Sequence, residues 1–171
     1  MTLDEAFGEI VVPARVDALE QLLRPHSLTE LNENTAGAIG GLLLAVEQRC
    51  AVSTFLTTST TILWLVDADG KILLAVEEAV SIADHDSRHP LHTHFPLLPD
   101  MAKLGHPALV GAAPARIGGE IYFDDGTTPG VWVLTNKSGR YGINLRRKHS
   151  HLESVAAVLK RHNLNVDVQM F

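Results

Sequence analysis

Residues 60–76 read TTILWLVDADGKILLAV. Thr60 to Val66 and Lys71 to Val76 are rich in β-branched, aromatic and aliphatic residues, and they flank Asp-Ala-Asp-Gly. Two such runs around a short Asp/Gly segment predict a β-hairpin, with Gly70 at the positive-φ position of the turn. Neither run alternates apolar with polar. Both strands are therefore expected to be buried on both faces, in the middle of a sheet.

The pattern upstream is helical. Ala14 to Arg24 places Val16, Leu19, Leu22 and Leu23 on one side, and Pro25 ends the run by disfavouring helical geometry at Arg24. Ser27-Leu-Thr-Glu30 matches a capping box. It predicts a helix from Ser27 to about Arg49, with Leu28, Leu31, Ile39, Leu42, Leu43 and Val46 inward. Gly37, Gly40 and Gly41 are expected to permit close packing there. Downstream, Asp84 to Asp100 reads as a long irregular connection with three prolines. Ala115–Asp124 and Gly130–Asn136 form a second hairpin around Asp125-Gly126. His149 to His162 is an amphipathic helix, and Val166 to Met170 a last strand.

This order predicts an α+β fold. It has a mainly antiparallel sheet built from two hairpins and a C-terminal strand, with N-terminal helices and one C-terminal helix packed on it. The expected organisation is one domain, residues 1–171. Residues 1–50 form a helical part, and residues 51–171 a sheet-containing part with a motif region at 104–168.

The 171 residues are 46% hydrophobic and 20% charged, enough apolar material for a globular core. The single cysteine, Cys50, excludes an internal disulfide and a cysteine-rich zinc site, and is expected in the core. No apolar run is long enough to span a membrane, and MTLDEAFGEI lacks the pattern of a signal peptide. The expected location is the cytoplasm, or delivery by a secretion system without a cleavable leader. The net charge is −6, yet residues 137–171 carry seven Lys and Arg against Glu153 and Asp167. A segregated basic end suits an anionic ligand, an acidic or neutralising protein partner, or an acidic part of a second copy of the chain.

Two stretches can carry chemistry. Residues 84–94, DHDSRHPLHTH, crowd His85, His89, His92 and His94 beside two aspartates. Imidazole and carboxylate ligate zinc, iron or nickel, so a metal site is one reading, although no established metal motif matches. The other stretch runs from GHPALVG (105–111) through GGEIYFDDG (118–126) to NKSGRYG (136–142). Its glycines fall where backbone turns or approaches something closely. His106 and Glu120 can move protons, Lys137 and Arg140 can bind negative charge, and Tyr141 can orient a substrate. The plainer reading makes Ser138-Gly139 a turn with solvated flanking cations. There is no phosphate-binding loop and no dinucleotide fingerprint, and no cofactor is expected.

His106-Pro-Ala-Leu109, Gly119-Glu120-Ile121, Asn136-Lys-Ser-Gly-Arg-Tyr141 and the helix near His151 together resemble a C-terminal module of bacterial polymorphic toxins. They are more distantly similar to the C-terminal region of plant IQ-motif calmodulin-binding proteins. The likeness covers about residues 104–168. It departs at Gly118, where the module commonly has alanine, and at Gly142, where it often has proline. The resemblance implies a site at His106, Glu120, Ser138, Arg140 and Tyr141; Asn136, Lys137, Arg146 and Arg147, polar and basic residues of the same region, are expected to bind the substrate. The expected function is a toxin-type or effector-type enzyme acting on RNA or a nucleotide such as NAD by metal-independent acid–base chemistry. The alternatives are a non-catalytic module docking an acidic partner and a metalloprotein using the histidine-rich loop.

Overall fold

A computed structural model describes residues 1–93, 95–143 and 146–171, with residues 55–58 described by their backbone alone. The chain forms an α+β fold around a mainly antiparallel six-stranded sheet. In chain order its strands are β1 (Thr29–Glu30), β2 (Ile62–Asp67), β3 (Ile72–Val76), β4 (Glu78–Ser81), β5 (Arg88–Pro90), β6 (Met101–Leu104), β7 (Ala115–Asp124), β8 (Val131–Thr135) and β9 (Asp167–Gln169). The helices are α1 (Leu3–Phe7), α2 (Ala18–Leu22), α3 (Ala36–Glu47), α4 (Ala51–Thr58), α5 (His106–Val110) and α6 (His149–Arg161). The large sheet has the order β1-β3-β2-β7-β8-β9, and a smaller sheet the order β5-β4-β6.

Both expected hairpins form. Trp64 pairs with Leu74 across the first, and Gly70 turns it at φ +87°. The second joins β7 to β8, pairing Ile121 with Leu134. Leu63, Trp64, Leu65 and Val66 are all fully buried, as two-sided coverage of β2 requires. One face, with Trp64, Ile121 and Leu134, packs on Phe7 of α1, Leu43 of α3 and Leu152, Val155 and Leu159 of α6. The other, with Leu63, Leu65 and Ala75, packs on Leu109 of α5 and on Tyr141. Helices therefore cover both faces. Each large side chain taken fully out of water contributes about 1.5–3 kcal/mol, so these two clusters drive folding. The tryptophan N–H groups are satisfied, Trp64 by Thr135 O (3.0 Å) and Trp132 by Leu43 O (3.3 Å).

Several local expectations are corrected. Ser27 does not open a helix. Its Oγ bonds Val76 O and Glu78 Oε1, and Thr29–Glu30 pairs with β3, so the helix begins only at Ala36. The preceding helix shrinks to Ala18–Leu22, capped by Asp17. A Cβ on Gly37 or Gly41 would meet nothing, so only Gly40, beside Leu164, packs closely. The proline-rich connection contains β5, paired with β4. β9 pairs parallel to β8, because α6 carries the chain back across the sheet. Cys50 is exposed at the N-cap of α4. Among the described residues, no helix is long and apolar enough to cross a membrane.

Candidate functional site

The three motif segments converge where β8 ends, beside residues 118–120 in the middle of β7. His106 opens α5, with Pro107 next to it, and Gly105 is the N-cap. The His106 ring is buried and lies 2.8 Å through Nε2 from Gly119 O. That geometry places the proton on Nε2, donated to the carbonyl. Burial holds the imidazole pKa down to about 4, with the Lys103 and Arg140 charges also lowering it. His106 is thus neutral near pH 7 and fixes the backbone immediately before Glu120.

Glu120 pairs with Leu63 on β2. Strand alternation puts it on the α5 side of the sheet, with Tyr122 and opposite to Ile121. Partial burial raises its carboxyl pKa, Lys137 and Lys103 pull it down, and Glu77 pushes it up. Glu77 is itself buried and bonds Lys103 at 2.7 Å. The result is a half-buried carboxyl that feels the charges of Lys137, Lys103 and Glu77.

NKSGRYG is largely an internal structure. Asn136, Ser138 and Tyr141 are buried. The Asn136 amide clasps the last residue, donating to Phe171 O (3.1 Å) and accepting Phe171 N–H (2.7 Å). Ser138 Oγ accepts Tyr141 N–H at 3.2 Å. Tyr141 donates its hydroxyl to Ala113 O at 3.1 Å, and burial pushes its phenol pKa up. The glycines nearby answer the same packing. A Cβ on Gly119 would overlap Thr135 O, and one on Gly142 would overlap Asn136 O. Three backbones meet there with no room for side chains.

Lys137 and Arg140 face outward in part. Lys137 Nζ sits 4.5 Å above the Phe171 ring. Arg140 reaches Glu20 through Nη2 to Oε2 at 3.4 Å and donates to Arg15 O at 3.2 Å. Glu20 is buried, and its Oε1 also accepts Gly105 N–H at 3.1 Å. It thereby ties α2, α5 and the NKSGRYG turn together.

The structure thus brings His106, Glu120 and Lys137 into one neighbourhood, with Arg140 beside His106. Arg146 and Arg147 lie apart, in a cleft against α1 with Asp4, Glu9 and His151. Arg147 bonds the carbonyls of Tyr141, Glu9 and Arg116, so it acts as an internal latch. Glu20, Glu77 and Lys103 are not legible as site residues in the sequence. Only Lys103, three residues before His106, carries even a positional hint.

The histidine loop does not assemble a metal centre among the described residues. His85 and His89 are exposed, and His92 packs edge-on against Phe95 at 5.8 Å. His94 lies outside the described residues. Comparison of the chain with protein-family models, with curated proteins and with solved structures found no match.

Proposed function

We propose that the chain is a small toxin-type or effector-type enzyme acting on a phosphate-bearing substrate, RNA or a nucleotide, by acid–base chemistry centred on Glu120. One observation carries this reading: Glu120 lies partly buried on the α5 face of β7, where burial raises its carboxyl pKa and the Lys137 charge acts against that rise. A partly desolvated carboxyl can give a proton to a leaving oxygen and take one from a nucleophile. Lys137 and Lys103 would balance charge on a phosphoryl group at the same place. The resemblance of residues 104–168 to polymorphic-toxin modules supports the effector context. In this reading His106 is a positioning residue, because its ring holds Gly119 O next to Glu120. Ser138 and Tyr141 shape the turn that presents Lys137 and Arg140.

The test is turnover of RNA and of nucleotides including NAD by the purified chain, alongside Glu120→Gln. General acid–base groups contribute about 10²–10⁴-fold, so the variant should lose activity by that order with its fold intact. Absent turnover in the wild type, or full activity in the variant, removes the enzyme reading.

A second reading has its own observation. Asn136, Ser138, Tyr141 and His106 all direct polar atoms at backbone, while Arg146, Lys148, Lys160 and Arg161 are exposed. That arrangement suits a non-catalytic module docking an acidic protein through its basic end. Binding would then weaken steeply with salt and be insensitive to Glu120→Gln.

A further inference from the structure

An apolar cleft of about 200 Å³, partly open to solvent, lies between α3, α6 and the sheet. Ile39, Leu43, Leu74, Ile121, Leu159 and Leu164 form its walls. Leu42 also lines it and is 40% exposed, so it stands at the opening. Ile121 and Glu120 point to opposite faces of β7. This cleft is therefore on the other side of the sheet from the acid–base cluster, and nothing about it depends on the function proposed above.

Protein interiors contain few voids larger than a water molecule. A water held in such a space needs two to four polar partners, and an engineered apolar cavity of about 150 Å³ stays dry and takes up benzene. Here the lining hydroxyls belong to Ser27 and Thr29, and both are already engaged. Ser27 Oγ bonds Val76 and Glu78, and Thr29 Oγ1 donates to Ser27 O at 3.0 Å. The space suits an apolar occupant better than a water cluster. A buried carboxyl also stands behind the Ser27 end. It belongs to Glu78, with Oε1 3.2 Å from Ser27 N. A carboxylate head at this end would meet that acidic side chain, whereas a hydroxyl could donate to a lone pair of Thr29 Oγ1.

We propose that this cleft is a binding site for an uncharged aliphatic molecule of about six to eight carbons, with a hydroxyl-type head at Thr29. The tail lies among Leu43, Leu74, Ile121 and Leu159, and enters past Leu42 at the open side.

Titrating the full chain with 1-hexanol, read by ¹³C-methyl NMR, tests the site. Saturable shifts are expected on Ile39, Leu43, Leu159 and Leu164, with a rise in Tm that grows with ligand concentration. Hexanoate should bind at least tenfold more weakly. Leu74→Phe fills the cleft and should weaken hexanol binding at least tenfold while keeping the folded spectrum. Val166→Phe, at the same wall, serves if Leu74→Phe fails to fold. No saturable shift in the wild type up to the solubility limit overturns the proposal. So does undiminished binding in a folded filling variant. Equal binding of hexanoate overturns the uncharged assignment.

Discussion

Glu20 and Arg140 form an ion pair across 120 residues of sequence, with Nη2 3.4 Å from Oε2. The carboxylate is buried and the guanidinium about one-third exposed, at 34%. The pair links the second helix to the NKSGRYG turn, and Glu20 also receives the N–H of Gly105 at the start of α5. A buried carboxylate is tolerated only when such donors surround it.

Removing Glu20 should therefore loosen both the turn and α5. Glu20→Ala is expected to destabilise by about 2–3 kcal/mol, toward the lower end for buried pairs because Arg140 meets solvent. Glu20→Gln keeps an acceptor for Gly105 and should cost less than Glu20→Ala. A double-mutant cycle with Arg140→Ala, read by urea unfolding, should give a coupling above about 0.5 kcal/mol. Simple additivity of the two changes would show that the pair is only a neighbourly contact.

His106 sets a pH dependence. Its folded pKa of about 4 lies below the ordinary value of 6.5. The unfolded chain therefore takes up a proton first as pH falls. The contribution is complete above pH 6.5 and is lost progressively as pH drops toward 4, to a total of about 3 kcal/mol. Urea unfolding at pH 7, 5.5 and 4.5 checks it, with His106→Gln as the comparison. The variant should be flatter between pH 6.5 and 4. Some slope will remain, because burial and the Arg147 and Lys148 charges also lower the pKa of His151. His151 Nδ1 accepts Lys148 N–H at 3.2 Å, so protonation at Nδ1 would remove that acceptor at the start of α6.

The clasp of Asn136 on Phe171 predicts where the chain frays. β9 contributes three paired residues at the edge of the sheet, too few to hold the C-terminal end firmly. Asn136→Ala removes both side-chain bonds and should cost about 1–2 kcal/mol. Amide exchange should rise at residues 167–171 before it rises in β7 or β8. Uniform loss of protection across the whole sheet would instead make Asn136 part of the global core.

The central hairpin and α6 are legible because their apolar patterns are long and their turn chemistry is local. Gly70 and the continuous runs beside it can be read without any tertiary knowledge. Ser27-Leu-Thr-Glu30 misleads for a physical reason. A Ser and a Glu three residues apart satisfy the capping pattern, yet here the Ser27 hydroxyl is held by β3 and Glu78 from across the fold. The five residues of α5 are too few to display a helical period. In the candidate site, the glycine spacing marks close backbone approach at Gly119 and Gly142, and the backbones do meet there. Glu20 and Glu77 are invisible because each acts through partners that only the folded chain supplies.

Glycines within the motif region should separate sharply by environment. Gly119 faces Thr135 O and Gly142 faces Asn136 O, both rigid backbone atoms with no rotamer to yield. Gly139, in the same turn as Gly142, has nothing within 4 Å of the position a Cβ would take. Gly119→Ala and Gly142→Ala must therefore displace a strand end, at a cost above about 3 kcal/mol, or they will not fold. Gly139→Ala should stay within about 0.5 kcal/mol of the wild type, since it adds a methyl group to open solvent. Thermal unfolding of the three variants measures this directly. Equal effects at Gly119 and Gly139 would mean that the three backbones do not meet as described. The contrast also bears on function. A turn that tolerates Gly139→Ala but not Gly142→Ala is held rigid from below while its upper surface, with Lys137 and Arg140, stays accessible to a ligand.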